Sequence, residues 1–172
     1  MKIFKEEQRF NQLWLIVLMS ISILVPIGII LKTYLEDPKN FSLDKLFSIL
    51  GILIFAFGVL FVFKLTTRID GEGIHYQFFP FHWKLKAIKW NEINIVYVRT
   101  YSPISEYGGW GLKGGAMWNG AKGKAINVSG NVGIQLELKN GKKLLIGTQK
   151  QNDAKAVLAT YKTKLIKETI NV

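Results

Sequence analysis

The chain has no cysteine among its 172 residues. That excludes disulfides, thiolate metal ligands and a cysteine nucleophile. Histidine is nearly as scarce: His75 and His82 stand seven positions apart, with no third ligand at a zinc-like spacing. Acids are outnumbered, 12 against 23 Lys and Arg. The seven acids beyond residue 63 form no paired-carboxylate pattern of the kind general acid–base catalysis uses. No G-x-S-x-G elbow is present. An enzyme is therefore not expected, nor a metal or other cofactor.

Charge is absent from two long stretches. Residues 13–31 and 46–63 contain no Asp, Glu, Lys or Arg. The second is 18 residues, about 27 Å as a helix, close to the hydrocarbon thickness of a bilayer. A signal peptide competes for the first run. Against it stand the length of the run, Glu6 and Glu7 in the preceding segment, and Lys32-Thr33-Tyr34 where a small-residue cleavage site belongs. The reading is two membrane spans joined by the short link 32–45, hence an antiparallel helical hairpin. Pro26 falls inside the first span, a position membrane helices tolerate with a local kink. Ser48, Gly51 and Gly58 follow helical spacing on the second span and are expected to receive the first helix, with a dimer contact as the alternative. Neither span holds an ionisable residue or Asn, which argues against an ion or proton path.

What is abundant is positive charge after the second span. Residues 64–172 carry 17 basic and seven acidic side chains, net +10 of the chain's +11. Lys2, Lys5 and Arg9 precede the first span, and Lys64 and Arg68 follow the second. The positive-inside rule places both ends in the cytoplasm, at a cell (inner, cytoplasmic) membrane crossed more than once. The division expected is a basic segment 1–12, a transmembrane hairpin 13–63 and a β domain 64–172. A basic, tethered domain has the anionic leaflet as its nearest complement, and nucleic acid is not expected.

Residues 65–69 and 74–78 alternate apolar and polar about the turn Gly71-Glu72-Gly73, which predicts a hairpin. The cluster 78–83 reads FFPFHW and is followed by Lys84, Lys86 and Lys89. Alternation accounts for Phe78 as core but not for Phe81 and Trp83; rings among headgroups and ammonium groups on lipid phosphates are the competing reading. Residues 84–89 and 94–101 predict two further strands, with a turn or one helical turn at Trp90-Asn91-Glu92-Ile93. Glycine concentrates at 107–124. Gly109, Gly111 and Gly114 match G-x-G-x-x-G formally, but further glycines follow where a phosphate site needs a helix. Trp110 and Trp118 on such a loop are either a binding surface or core. Asn127-Val128-Ser129 matches a glycosylation acceptor, a pattern that chance supplies often. Residues 125–128, 132–139 and 142–147 predict three more strands, the last two joined at Asn140-Gly141. Residues 152–167 predict a helix with Ala154, Val157, Leu158, Tyr161 and Leu165 on one apolar stripe.

About seven antiparallel strands and a C-terminal amphipathic helix resemble the pleckstrin-homology-like (PH-like) domain. TTRIDGEGI at 66–74, IKWNEI at 88–93, and the run from GGWGL through GNVGIQLEL to LLIGTQ across 108–149 are similar to bacterial membrane proteins with two spans and a PH-like domain, a family largely uncharacterised. The resemblance implies the fold and leaves the ligand open. The first turn, Asp70 to Gly73, is acidic where inositol-lipid binders are basic, and Tyr161 stands where their helix usually has tryptophan. The expectation is a membrane-anchored, non-catalytic binding module that docks a protein partner at the cytoplasmic face. Its candidate contacts are Trp83, Lys84, Lys86, Lys89, Trp110, Trp118, Lys122 and Lys124. The alternatives are anionic-lipid sensing by the same lysines, and assembly or scaffolding in a membrane complex, with a homo-oligomer possible.

Overall fold

The computed structural model describes residues 2–37, 41–114 and 123–169, with side chains of the final helix described through Lys164. It divides into two compact units, one made of residues 10–63 and the other of the remaining chain.

The smaller unit is two helices, α1 (Leu13–Glu36) and α2 (Leu43–Val62). Each is long and apolar enough to cross a bilayer. Ser42 caps α2, its hydroxyl accepting from the Lys45 amide, and Asp44 lies in the first turn, where the helix dipole favours an acid. On each helix the covered positions include one stripe: Met19, Ile23, Ile27, Ile30 and Tyr34 on α1, and the buried Leu46 with Leu50, Leu53, Phe57 and Leu60 on α2. Their three- and four-residue spacing is what packs two helices along their length.

The small residues lie elsewhere. Ser48, Gly51 and Gly58 are exposed, and a Cβ placed at Gly51 or Gly58 meets nothing within 4 Å. The expectation that they receive the first helix is corrected: bulky side chains fill that interface, and the small face of α2 points away from it. Gly51→Leu is accordingly expected to leave the helicity and thermal stability of the hairpin within about 0.5 kcal/mol of the parent. A larger loss, read by circular dichroism in detergent, would mean that something outside this hairpin covers the face.

The larger unit holds nine strands among the described residues, not seven. Sheet one is β1 (Phe4–Arg9), β2 (Lys64–Ile69), β3 (Gly73–Phe79) and β4 (Lys86–Lys89), antiparallel in that order. Sheet two contains β5 (Ile93–Thr100), β6 (Gly111–Lys113), β7 (Lys124–Asn127), β8 (Val132–Leu138) and β9 (Lys143–Gly147), in the order β5-β8-β9-β7-β6. The β7–β9 pair is parallel, so the sheet is mixed rather than wholly antiparallel. A short helix, α3 (Pro103–Tyr107), interrupts the path between β5 and β6, and α4 (Gln151–Thr169) closes the chain.

The first added strand changes the division of the chain. Residues 1–12 are set apart by sequence, yet Phe4–Arg9 is the outer strand of sheet one, paired with β2 along its whole length. Phe4, Glu6 and Gln8 face inward and Lys5, Glu7 and Arg9 outward. The helical unit is thus an insertion between two paired strands, with Arg9 directly opposite Lys64. The second added strand, β6, pairs with β7.

Helix α4 touches β1, β5, β8 and the turn of 3-10 helix at Trp90–Glu92. Ala154, Val157, Leu158 and Tyr161 are buried, as their spacing predicts; the side chain of Leu165 lies outside the described residues. Tyr161 stacks on Trp90 with centroids 5.3 Å apart and donates its hydroxyl to the Lys2 carbonyl at 2.6 Å. A stack of this kind adds about 0.5–1.5 kcal/mol to the area both rings bury.

Candidate functional site

Strand β5 is an edge of sheet two among the described residues. Its alternation is reset by a bulge: Ile93 sits opposite Leu138 and Ile95 opposite Glu137, two steps on β5 for one on β8. Ile93 is therefore buried while Ile95 and Tyr97 point outward, 46% and 40% exposed. Beside this edge runs α4. Between them is a groove of about 370 Å³ lined by Asn94 to Val98 of the strand and by Lys155, Leu158, Ala159 and Lys162 of the helix. Its floor is mainly apolar. Lys155 and Lys162, two helical turns apart, are exposed on the helix wall, and neither is in an ion pair among the described residues. An edge strand offers unpaired N–H and C=O groups to an added strand, and a flanking groove selects its side chains. No family model matches the chain, and neither a curated protein nor a solved structure does.

The sequence-predicted contacts scatter. Trp83, Lys84 and Lys86 lie on or beside the loop between β3 and β4, with Trp83 79% exposed. Lys124 is at the start of β7, in sheet two, opposite Leu144 of β9. Lys89 is at the far end of β4, opposite Gly73, where its backbone N–H donates to Glu92 at 2.8 Å. Trp110 is half-buried and latched, its indole N–H donating to the Gly130 carbonyl at 3.0 Å. Trp118 and Lys122 lie outside the described residues. The groove along β5 was within reach of the sequence only through Ile95 and Tyr97, apolar residues on the strand face that should be polar. Which helix would lie beside that strand has no local signal.

Four polar clusters in the β unit lie elsewhere among the described residues. Asp70, at the end of β2, is buried and accepts from Arg68 Nε at 2.7 Å, His75 Nε2 at 3.1 Å and the Glu72 amide at 2.9 Å. Burial alone would push its carboxyl up; the Glu72 amide, His75 and the Gly73 amide together hold it below the ordinary 3.8. Asp70, Glu72 and His75 can bring one ligand atom each within 4.8 Å of one another. Asp70 is already occupied by the donors of its own turn, and Trp90 Nε1 donates to its backbone carbonyl. The arrangement clamps the β2–β3 turn.

Arg99 makes a two-pronged contact with Glu106, at 3.2 and 2.8 Å, and also donates to Gln135 and Tyr107. The Glu106 hydrogen bond raises the guanidinium's affinity for its proton above the usual value. Glu106 accepts from the Ser102 amide as well, so one ion pair fixes α3 to β5. Asn127 is fully buried, accepting from the Gly111 amide and donating to the Tyr101 hydroxyl at 2.7 Å. The glycosylation pattern it belongs to is thus spent on holding β6, and its amide is out of reach of a transferase. In the fourth cluster, Glu6 accepts from Thr148 and from the Gln149 amide, linking β1 to the start of α4.

Proposed function

We propose that this protein is a membrane-anchored, non-catalytic binding module, a PH-like β domain carried on a two-span hairpin. Its partner is a protein that lays an extended, acidic segment into the groove between β5 and α4. Two sheets and a closing C-terminal helix support the fold assignment. The uncharged stretches 13–31 and 46–63 within the two helices, and the basic flanks, support a cytoplasmic-membrane location with both termini in the cytoplasm. The observation that carries the function is the open edge of β5 with Ile95 and Tyr97 exposed beside an apolar groove. The charge of Lys155 and Lys162 on the helix wall selects acidic side chains over basic ones.

A photo-crosslinking amino acid at Tyr97, in the full chain in cells, tests this. The expected result is one discrete protein adduct, absent when the same group replaces Thr160 on the exposed face of α4. Lys155→Glu with Lys162→Glu should reduce that adduct at least about tenfold, as reversing two rim charges against an acidic ligand does. An adduct indifferent to the reversal, or none at Tyr97, would overturn the reading.

A further inference from the structure

We infer that the loop 79–85 is a lipid-interface anchor that sets Phe81 and Trp83 into the headgroup zone of an anionic leaflet, with Lys84 and Lys86 against its phosphates. This rests on reading the two helices as membrane spans and does not depend on the groove. The placement comes from the register of sheet one. Arg9 is opposite Lys64, and Lys64 is opposite Phe79. The chain enters α1 at Leu13, after residues 10–12, and leaves α2 at Val62, with only Phe63 between it and Lys64. Neighbouring strands are about 4.8 Å apart. The loop therefore begins at the same end of the sheet, and within two strand spacings, of both points where the chain passes to the helices.

The side chains there suit that position. Trp83 is 79% exposed and Phe81 60%, and Leu85 is exposed beside them. They are not loose. Gln77 Nε2 donates to the carbonyls of His82 and Trp83 at 3.1 and 3.0 Å, and the His82 amide donates to the Phe78 carbonyl at 2.8 Å. Phe81 stacks on the buried Phe78, and Trp83 meets Phe79 edge-on. A loop held this firmly keeps its rings in the open, and large rings with an amphipathic edge favour the boundary between hydrocarbon and water. Lys84 is between the exposed apolar residues and Lys86 just after them, the arrangement that lets ammonium groups reach phosphate while the rings insert. Burial first, and then the charges of Lys86 and Lys124, lower the proton affinity of His82. His82 Nδ1 accepts from the Phe78 amide, which requires the neutral ring. Lys89, three residues further along β4 than Lys86, is about 10 Å from this end and is left out.

The absence of cysteine makes the chain ready for site-directed spin labelling. Single labels are placed at Leu85→Cys, at Ile104→Cys as an exposed reference on α3, and at Phe55→Cys on the exposed side of α2. The full chain is reconstituted in vesicles containing phosphatidylglycerol. The Leu85 label should be several-fold less accessible to a water-soluble nickel reagent, and more accessible to oxygen, than the Ile104 label. Adding Phe81→Ser and Trp83→Ser to the Leu85→Cys chain should return it to the Ile104 level. Adding Lys84→Glu and Lys86→Glu should return it part of the way. A Leu85 label as water-accessible as Ile104 overturns the anchor, and so does protection that survives loss of both rings. The Phe55 label separates the two levels of the argument: if it too is reached by nickel and not by oxygen, the membrane reading fails first.

Discussion

Residues 64–172 produced alone are expected not to reach the folded state, although by sequence they look like a complete β domain. They lack β1. That strand covers one edge of sheet one along six paired residues, and it buries Phe4. It also contributes groups no other segment replaces. Gln8 donates to the Gly147 carbonyl at 2.8 Å, Glu6 accepts from Thr148 and the Gln149 amide, and the Lys2 carbonyl receives the Tyr161 hydroxyl. Without them Leu65, Thr67 and Ile69 of β2, all fully buried, lose their cover on one side. Burial of Phe4 alone is worth about 2–3 kcal/mol, and each lost polar tie about 1 kcal/mol or more. Against a total of about 5–15 kcal/mol for a domain, the sum is enough to abolish cooperative folding. The same geometry supplies the rescue. Arg9 and Lys64 are antiparallel partners, so residues 1–9 joined to 64–172 through Asn-Gly should close as a hairpin. The joined chain should give a sharp thermal transition and dispersed amide resonances; the truncated one should give neither. Equal transitions from both would show that β1 is an accessory to this fold.

That strand also shows where the sequence could be read and where it could not. The two long apolar helices declare themselves by length and α4 by periodicity, because every buried position described on them is apolar. Seven strands do the same by alternation. In FKEEQR the inward positions after Phe4 are Glu6 and Gln8, so the alternation exists in burial but not in hydropathy. Their partners, Thr148, Gly147 and the Gln149 amide, are some 140 positions away in the chain, so no local pattern could announce that these polar groups are satisfied. Strand β6 is three residues in a glycine-rich run, and its pairing depends on the buried Asn127, whose sequence context suggested something else. The small-residue spacing on α2 was legible, but spacing alone does not say which side of a helix a neighbour occupies. For the candidate site, the residues of β5 and α4 were each placed on the right kind of element; the groove arises from their adjacency, which is tertiary.

Replacing Asp70 by Ala is expected to destabilise the β unit by about 2–4 kcal/mol, the range for removing one member of a buried, charge-assisted cluster. Of its partners, Arg68 is half exposed and its contribution is screened. The Glu72 and Gly73 amides and His75 make the larger part, since each is left without an acceptor when the carboxylate goes. Asp70→Asn keeps an oxygen for the two amides and loses only the charge, so it should cost less, about 1–2 kcal/mol. The pair of variants also predicts a pH dependence. The folded protein holds the Asp70 carboxyl below its ordinary 3.8. In that case the unfolded chain binds the proton more readily, and stability falls as protons become available. The contribution is complete above the ordinary carboxylate range and is lost as pH drops through the folded value, below about 4. Thermal unfolding of the full chain in detergent, followed by near-ultraviolet circular dichroism, should therefore show the gap between parent and Asp70→Asn closing as the pH is taken below 4. A gap that stays constant to pH 3 would mean that the charge on Asp70 contributes nothing, and that the turn is held by its shape alone.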